Sequence, residues 1–217
     1  MMTKRETSLK VAEFLLQIKA IKLQASNPFT WASGWKSPIY CDNRVTLSYP
    51  PVRTYIRQRL SELIHDQFST VDVIAGVATA GIPQGVLVAQ ELGLPFVYVR
   101  SAAKDHGMNN LIEGEIQAGQ RVVVVEDLIS TGKSSLKAVD ALRNAGAEVV
   151  GMVSIFTYGF DVATENFKQA NCVLHSLSNY NDLIDQALLS GSISEKDVEE
   201  LKAWREDPSH WGQTQNA

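Results

Sequence analysis

The sequence predicts an α/β fold in which a central, mostly parallel sheet is flanked by helices. From about residue 71 onward, short β-branched runs alternate with segments of helical periodicity. These runs are apolar almost throughout, as expected for strands that are covered on both faces of a parallel sheet. At 217 residues, the chain is long enough for one substantial domain. We expect a small hood of about residues 1–48 together with the C-terminal helices, beside a core of about residues 50–160.

The N-terminal part of the chain predicts two helices separated by a hairpin-like segment. Apolar residues recur at helical spacing from about Ser8 to Leu23. The segment from Phe29 to Arg44 contains turn residues and several aromatic side chains, which favours a β-hairpin or an irregular cap. A second helix is predicted after Pro50-Pro51, because proline suits the first turn of a helix.

The predicted core alternates strands with helices. The strands are residues 71–75, 95–99, 122–125 and 149–156, and the helices are residues 83–92 and 133–145. Residues 101–119 are polar and lack a strong period, and long polar loops in such domains are often lids. Two further helices are predicted at residues 180–189 and from Ser194, which pairs with Asp197 in a capping-box-like pattern.

Composition argues against several classes of protein. The formal net charge is −4, whereas general nucleic-acid binding requires a clearly basic surface. No apolar stretch is long enough to span a bilayer, and the N-terminus lacks the apolar region of a secretory signal. Cys41 and Cys172 lack metal-ligand spacing and form no disulfide framework, so we expect a reducing cytoplasm. Neither nucleic acid nor membrane is therefore an expected partner.

The most informative segment joins the strand at 122–125 to the helix at 133–145. Glu126 and Asp127 stand where the strand is expected to end, and a polar turn of residues 130–134 opens the helix. Ligands of open α/β sheets bind outside the carboxyl ends of the strands. Backbone N–H groups, hydroxyls and the positive end of a helix together suit a phosphate. The segment therefore predicts a phosphate site with two carboxylates beside it.

Two other interpretations of this segment are weaker. Gly132-Lys133-Ser134 matches the last three positions of a nucleotide-triphosphate loop, but that motif needs glycine at the position of Asp127. An ordinary strand-to-helix turn with incidental acids is also disfavoured. Two carboxylates at a buried strand end lose hydration at a high cost unless they have a partner.

An apolar strand, Glu126-Asp127, two apolar residues and then Ser130 to Ser134 resemble the phosphoribosyl pyrophosphate (PRPP) signature of type I phosphoribosyltransferases. Residues 29–44, 76–83, 98–107 and 153–158 extend the resemblance over almost the whole chain, toward the branch of that family that acts on orotate. The resemblance implies the type I phosphoribosyltransferase fold. It also implies transfer of ribose 5-phosphate from PRPP to orotate, giving orotidine 5′-monophosphate and pyrophosphate in pyrimidine (UMP) biosynthesis.

The resemblance further implies roles for the matching residues. Arg100, Lys104 and Asp127 are the candidate catalytic residues, and Ser130 and Lys36 are the candidates for binding orotate. Glu126 and Asp127 would accept hydrogen bonds from the ribose hydroxyls, while Arg100, Lys104 and His106 would contact the pyrophosphate. The remaining PRPP-binding candidates are Leu128, Ile129, Ser130, Thr131, Gly132, Lys133 and Ser134 near the 5′-phosphate, and Ala78, Thr79, Ala80 and Gly81 near the pyrophosphate.

A cofactor and an assembly are also implied by the resemblance. Mg²⁺ would be held through PRPP and water, with Asp127 as the one candidate for direct contact. A homodimer would share the lid loop between its subunits. Two alternatives remain open: a phosphoribosyltransferase for another base, such as a purine, and a non-catalytic regulator that senses PRPP or nucleotides.

Four positions depart from the pattern of the family. Lysines that are common in the family are replaced by Ala32, Ala80 and Ser101, and an arginine is replaced by Tyr158. The cation that would pair with the orotate carboxylate is therefore left open. Lys36, Arg44 and the backbone amides near Ser130 are the candidates.

Overall fold

The computed structural model describes residues 3–31, 34–102 and 111–211. The strands are β1 (Ile21–Leu23), β2 (Phe29–Thr30), β3 (Lys36–Ser37), β4 (Ile39–Cys41), β5 (Val73–Val77), β6 (Phe96–Val99), β7 (Ile112–Glu113), β8 (Arg121–Ile129), β9 (Glu148–Thr157) and β10 (Leu174–Asn179). The helices are α1 (Lys4–Gln17), α2 (Pro50–Gln67), α3 (Gly81–Leu92), α4 (Lys133–Asn144), α5 (Asp161–Gln169), α6 (Tyr180–Leu189) and α7 (Glu195–Glu206), and a 3₁₀ helix spans Asn43–Ser48.

A six-stranded sheet forms the centre of the fold. Its strand order is β10-β9-β8-β5-β6-β7, and every neighbouring pair is parallel except β6 and β7. Two small antiparallel pairs, β1 with β4 and β2 with β3, belong to the N-terminal segment. The predicted α/β fold with a mostly parallel sheet is confirmed. Of the β-hairpin or irregular cap expected between residues 29 and 44, the structure forms a short hairpin from β2 and β3, followed by β4 and the 3₁₀ helix.

The side chains of β8 show why the sheet is covered on both faces. Val123 and Val125 are fully buried in the core that also contains residues of α1, α2, α3, α6 and α7. Val122 and Val124 are fully buried in the opposite core, with residues of α4 and α5. Successive strand residues point to opposite faces, so a run of four valines suits a strand with a hydrophobic layer on each side.

The first helix differs from its prediction at both ends. Thr3 and Glu6 form a capping box, so α1 begins at Lys4 rather than near residue 8. It ends at Gln17, and Lys19 then adopts a left-handed backbone with φ 57°. The last part of the predicted helix is instead β1, paired with β4. Strand β1 has only two apolar residues, Ile21 and Leu23, on either side of the exposed Lys22, and so short a pattern is not distinguished from one helical turn by spacing alone.

Three elements in the second half of the chain were not predicted. The two-residue strand β7 lies inside the predicted loop, and it exists because Ile112 and Glu113 pair with Val99 and Tyr98. Helix α5 and strand β10 follow β9, and β10 pairs in parallel with it. The sequence of β10, LHSLSN, mixes polar and apolar residues and carries little strand periodicity. Within the described residues, no helix is both long and apolar enough to cross a membrane.

Candidate active site

The candidate site lies at the carboxyl edge of the sheet, where three neighbouring strands end. Strand β5 stands between β8 and β6, and all three are parallel. The predicted pyrophosphate turn follows β5, the predicted phosphate loop follows β8, and Arg100 follows β6. Topology therefore brings to one edge three segments that lie as far apart in the sequence as residues 78–81 and 130–134.

Glu126 is held in a specific orientation inside this edge. The strand β8 continues to Ile129, so both acids lie within the strand rather than beyond its end as predicted. The side chain of Glu126 is buried, and its two oxygens accept hydrogen bonds from the Ser135 hydroxyl (2.8 Å) and the Asp127 N–H (3.0 Å). Burial, and then the nearby Asp127 carboxylate, raise the pKa of Glu126 to about 8.

Asp127 is more exposed than Glu126 and is supported through its backbone. The Asn43 side-chain amide donates a 2.7 Å hydrogen bond to the Asp127 carbonyl. Asn43 itself is buried in the 3₁₀ helix, whose backbone is linked onward through Thr46 to Gln84 of α3. Burial raises the pKa of Asp127 as well. Asn43 was not predicted as a functional residue, because an asparagine in an irregular segment has no periodicity that would mark it.

Helix α5 packs against the phosphate loop and supports it. Gly132 has φ 76°, and a Cβ atom at this position would lie 2.5 Å from the Phe167 ring. The Asn166 side chain donates a 2.9 Å hydrogen bond to the Thr131 carbonyl. No side chain caps the N-terminus of α4, so its first N–H groups point toward the loop without an intrahelical partner.

The remaining predicted residues of this loop have different environments. Lys133 and Ser134 are exposed, and Leu128 and Ser130 are half-buried. The Ile129 side chain, in contrast, is fully buried in the sheet core, and its carbonyl accepts a hydrogen bond from the Tyr158 N–H. Ile129 therefore belongs to the support of the loop, since its side chain faces α4 and α5 rather than the site.

The turn after β5 packs directly against the acid-bearing strand. The peptide bond between Ala78 and Thr79 is cis, and the Ala78 N–H donates to the Val99 carbonyl at 2.9 Å. A Cβ atom on Gly81 would lie 2.5 Å from the Val125 carbonyl oxygen and 3.4 Å from Glu126 Oε1. Only glycine permits this approach, which places the turn beside the carboxylates. Ala80 lies in the same turn and Thr79 is exposed.

Arg100 marks the start of the predicted lid. Its backbone N–H donates to the Leu111 carbonyl at 2.8 Å, and its guanidinium lies 3.5 Å from the Glu113 carboxylate of β7. Arg100 is thus held at the same edge as the turn and the acids. Lys104 and His106 lie outside the described residues, as does Ala32.

An aromatic cavity lies between the hairpin and the end of β8. Its volume is about 270 Å³, and it is lined by Thr30, Trp31, Tyr40, Cys41, Leu128, Ser130 and Tyr158. Burial raises the pKa of the Tyr158 hydroxyl and of the Cys41 thiol well above their ordinary values, so both groups are uncharged at neutral pH.

The three candidates for the orotate carboxylate are placed differently around this cavity. Ser130 lines it, and the Lys36 ammonium donates a 2.9 Å hydrogen bond to the Thr30 hydroxyl at its wall. The Arg44 guanidinium instead binds both oxygens of Asp42, at 2.6 and 2.8 Å. Lys36 is therefore a better candidate than Arg44 for contacting a ligand in the cavity.

Comparisons with known proteins identify the family. A family model described as a phosphoribosyl transferase domain matches residues 51–181. The orotate phosphoribosyltransferase of Phocaeicola vulgatus is 63% identical over 200 residues, which cover 92% of this chain and 94% of the relative. The crystal structure of orotate phosphoribosyltransferase from Aeropyrum pernix has a TM-score of 0.74 at 28% identity, covering 85% of this chain and 99% of that one.

The same fold is found in a complex with a phosphoribosyl donor. The Mycobacterium tuberculosis orotate phosphoribosyltransferase in complex with PRPP has a TM-score of 0.63 at 26% identity, covering 82% of this chain and 98% of that one. The acid-bearing strand, the phosphate loop and the turn after β5 lie within the residues that the family model matches. By sequence and by fold, this chain belongs to the orotate phosphoribosyltransferases, within the phosphoribosyl transferase domain family.

Proposed function

We propose that the protein transfers ribose 5-phosphate from PRPP to a ring nitrogen of orotate, with release of pyrophosphate, as a step of pyrimidine biosynthesis. One observation carries the proposal. A single sheet edge brings a phosphate loop, two carboxylates and a glycine turn next to an aromatic cavity. A phosphate, a ribose, a pyrophosphate and a planar base each have a chemically suitable neighbour there.

The acids are suited to bind the ribose hydroxyls. The Asp127 side chain is the more accessible of the two, whereas the Glu126 oxygens already accept two hydrogen bonds. We therefore assign Asp127 the primary contact with the ribose and Glu126 a supporting one. Hydrogen bonds to an ionised carboxylate are among the stronger ones, so an ionised Asp127 would favour a correctly oriented sugar.

The 5′-phosphate is suited to the loop of residues 130–134. The N-terminus of α4 supplies backbone N–H groups and a positive dipole end, and the residues Ser130, Thr131 and Ser134 supply hydroxyls. Binding by backbone groups requires little net positive charge. This accounts for how a chain of net charge −4 would bind a strongly anionic substrate.

The leaving pyrophosphate is suited to the turn of residues 78–81 and to Arg100. Transfer from PRPP develops negative charge on the leaving group, so cations and N–H donors at this place favour the transition state. Arg100 is anchored at the site by its backbone and by Glu113. Lys104 and His106, which the family resemblance places in the lid, would add charge when the lid closes over the substrate.

Magnesium fits this site as a cation that the substrate helps to hold. Within residues 3–31, 34–102 and 111–211, no group of three or more His, Cys, Asp or Glu side chains could hold a metal ion. Asp127 nevertheless offers a carboxylate, and Mg²⁺ is commonly bound by one or two carboxylates with substrate phosphates and water. When bound, Mg²⁺ would supply positive charge against the pyrophosphate.

The aromatic cavity is suited to the orotate ring. Trp31, Tyr40 and Tyr158 offer ring faces and edges to a planar base. Tyr158 occupies the position of a family arginine and is uncharged, so it does not supply a cation for the carboxylate of orotate. We assign that role to Lys36, whose ammonium contacts the neutral Thr30 hydroxyl beside the cavity. The Ser130 region, which also lines the cavity, would provide further polar contacts.

The proposal is tested by pyrophosphate release with purified protein, PRPP, Mg²⁺ and a panel of orotate, uracil, adenine and hypoxanthine. Release that depends on orotate is expected. Consumption of a purine in place of orotate would show that the base assignment is wrong. Binding of PRPP without turnover of any base would instead favour a sensing regulator. Light scattering of the same sample tests the homodimer that the family resemblance predicts.

A pair of matched variants tests the role of Asp127. Asp127→Asn should lower kcat/KM about 10- to 100-fold, since hydrogen bonds to charged groups contribute about 1.5–3 kcal/mol. Asp140→Asn is the control, because Asp140 is exposed on α4 and its substitution removes the same charge at a different place. Equal kcat/KM in the two variants would remove Asp127 from the mechanism.

A further inference from the structure

We propose that α7 positions the walls of the base-binding cavity, through the adjacent residues Trp204 and Arg205. The inference rests on the proposed function, since that function assigns the cavity to orotate. Neither residue is among the described residues that line the cavity. Their influence would therefore be exerted through the residues that they contact.

Arg205 holds one wall. Its Nε donates a 3.2 Å hydrogen bond to the Tyr158 carbonyl, and its Nη2 donates a 2.6 Å hydrogen bond to the Gly159 carbonyl. The rigid guanidinium fork thus binds two consecutive carbonyls just past the end of β9. The Tyr158 side chain lines the cavity, so the backbone that Arg205 holds determines where this ring stands.

Trp204 holds a second part of the cavity wall. Its side chain is fully buried, and its Nε1 donates a 3.2 Å hydrogen bond to the Lys36 carbonyl in the β2–β3 hairpin. The Trp204 ring also contacts the rings of Trp31 and Tyr158, with centroids 5.6 and 5.8 Å apart. Trp31 and Tyr158 both line the cavity, and Lys36 is the residue assigned to the orotate carboxylate.

Helical geometry explains how two neighbours in sequence reach two walls. Successive residues of an α-helix point about 100° apart, which follows from 3.6 residues per turn. Trp204 can therefore point toward the hairpin while Arg205 points toward the turn after β9. Trp31 of the hairpin contacts Tyr158 directly, with ring centroids 5.3 Å apart, and α7 adds hydrogen bonds to the backbone on both sides of that contact.

The consequence is a specific kinetic effect. Loosening α7 should affect the binding of orotate, whose contacts lie on both walls. It should affect PRPP binding less, because the acids, the phosphate loop and the turn after β5 have supports of their own in Ser135, Asn166 and Gly81, besides the single hydrogen bond from the Tyr158 N–H to the Ile129 carbonyl. These supports do not belong to α7.

The principal test is Arg205→Met, which removes both hydrogen bonds and retains the length of the side chain. We expect KM for orotate to rise about tenfold, which corresponds to about 1.4 kcal/mol. The KM for PRPP and kcat should stay within about twofold. Trp204→Phe keeps an aromatic ring but removes the Nε1 donor, and should raise KM for orotate about threefold. Lys202→Met is the control, because Lys202 is exposed on the same helix.

The outcomes separate the inference from the proposed function. If the wild-type protein does not use orotate, the proposed function fails. If the wild type does use it and both variants keep the wild-type KM for orotate, the positioning role is wrong. A fall in kcat together with a rise in the KM values for both orotate and PRPP would indicate general destabilisation and would also overturn the inference. Arg205→Lys provides the test if Arg205→Met does not fold, and should restore part of the affinity because lysine can still donate to one carbonyl.

Discussion

Exchanging Asn43 for aspartate would test whether the 3₁₀ helix supports the acid-bearing strand. The substitution changes almost no volume, but it places a carboxylate oxygen where an amide N–H now donates to the Asp127 carbonyl at 2.7 Å. Two acceptors would then face each other at a buried position, since Asn43 is only 1% exposed. The perturbation is therefore electrostatic and directed at the backbone of one proposed catalytic residue.

The size of the effect follows from this geometry. Loss of the hydrogen bond costs about 0.5–1.5 kcal/mol, and leaving the buried carbonyl unsatisfied costs about 1–3 kcal/mol. A total near 3 kcal/mol corresponds to a fall in Tm of about 6–12 °C for a domain of this size. If Asp127 also shifts, kcat/KM for PRPP should fall by up to about 100-fold, as is typical when a reacting group is displaced by about 1 Å.

Thermal unfolding and steady-state kinetics measure the two effects separately. Initial rates are followed with varied PRPP at saturating orotate, at a temperature where the variant is fully folded. Asn43→Ala is the companion variant, because it removes the donor without adding an acceptor and should show a smaller loss of both quantities. Asn144→Asp is the control, since Asn144 is exposed at the far end of α4.

A specific result would refute this reasoning. If Asn43→Asp is destabilised as expected but its kcat/KM for PRPP equals that of Asn144→Asp, then the contact stabilises the fold without positioning Asp127. If neither quantity changes, the hydrogen bond itself has no energetic importance. In both cases the link between the 3₁₀ helix and catalysis would have to be abandoned.

Three further predictions address the acids, the phosphate loop and the base cavity. With a pKa of about 8, Glu126 carries a proton at pH 7 in the free protein, and hydroxyl donors from ribose lower that pKa. Binding of Mg²⁺ and PRPP should therefore release protons below pH 8. The release is measured by calorimetry in buffers of different ionisation enthalpy, and Glu126→Gln should abolish it. Gly132→Ala should raise KM for PRPP about tenfold, because alanine in a left-handed conformation costs about 1–2 kcal/mol and its Cβ would clash with Phe167. Gly119→Ala is the control: Gly119 also has a left-handed backbone, with φ 84°, but lies in open space, so this substitution should only lower Tm. Lys36→Met should raise KM for orotate more than tenfold, because a hydrogen bond from a charged group contributes about 1.5–3 kcal/mol. Lys137→Met, which removes a lysine from α4, is the control and should leave this KM unchanged.

The part of the site that the sequence predicts well is local. Four valines, two acids and a Ser-Thr-Gly-Lys-Ser turn are consecutive, so strand, carboxylates and phosphate loop are seen together in one stretch of 13 residues from Val122 to Ser134. Gly81 is similar, because its place between a strand and a helix is visible as a turn. What remained invisible at this level was the extent of β8, which continues through both acids to Ile129.

The supports of the site were not predictable in the same way. Asn43, Asn166 and Arg205 reach their partners across 84, 35 and 47 residues of chain, and each binds a backbone carbonyl. A carbonyl is present at every residue, so the sequence of the partner carries no signal of such a contact. Strand β7 shows the same limit, since two residues have no period and their pairing with β6 defines them.

The sequence by itself determined the α/β class, the order of most helices and strands, and the chemistry of the loop after β8. These properties depend on periodicity and on side chains that are neighbours along the chain. Only the tertiary structure decided which strand lies between which others, which asparagine holds Asp127, and that α7 contacts both walls of the aromatic cavity. The physical reason is that these relations are contacts between distant segments, and their energies depend on the burial and the geometry that the fold creates.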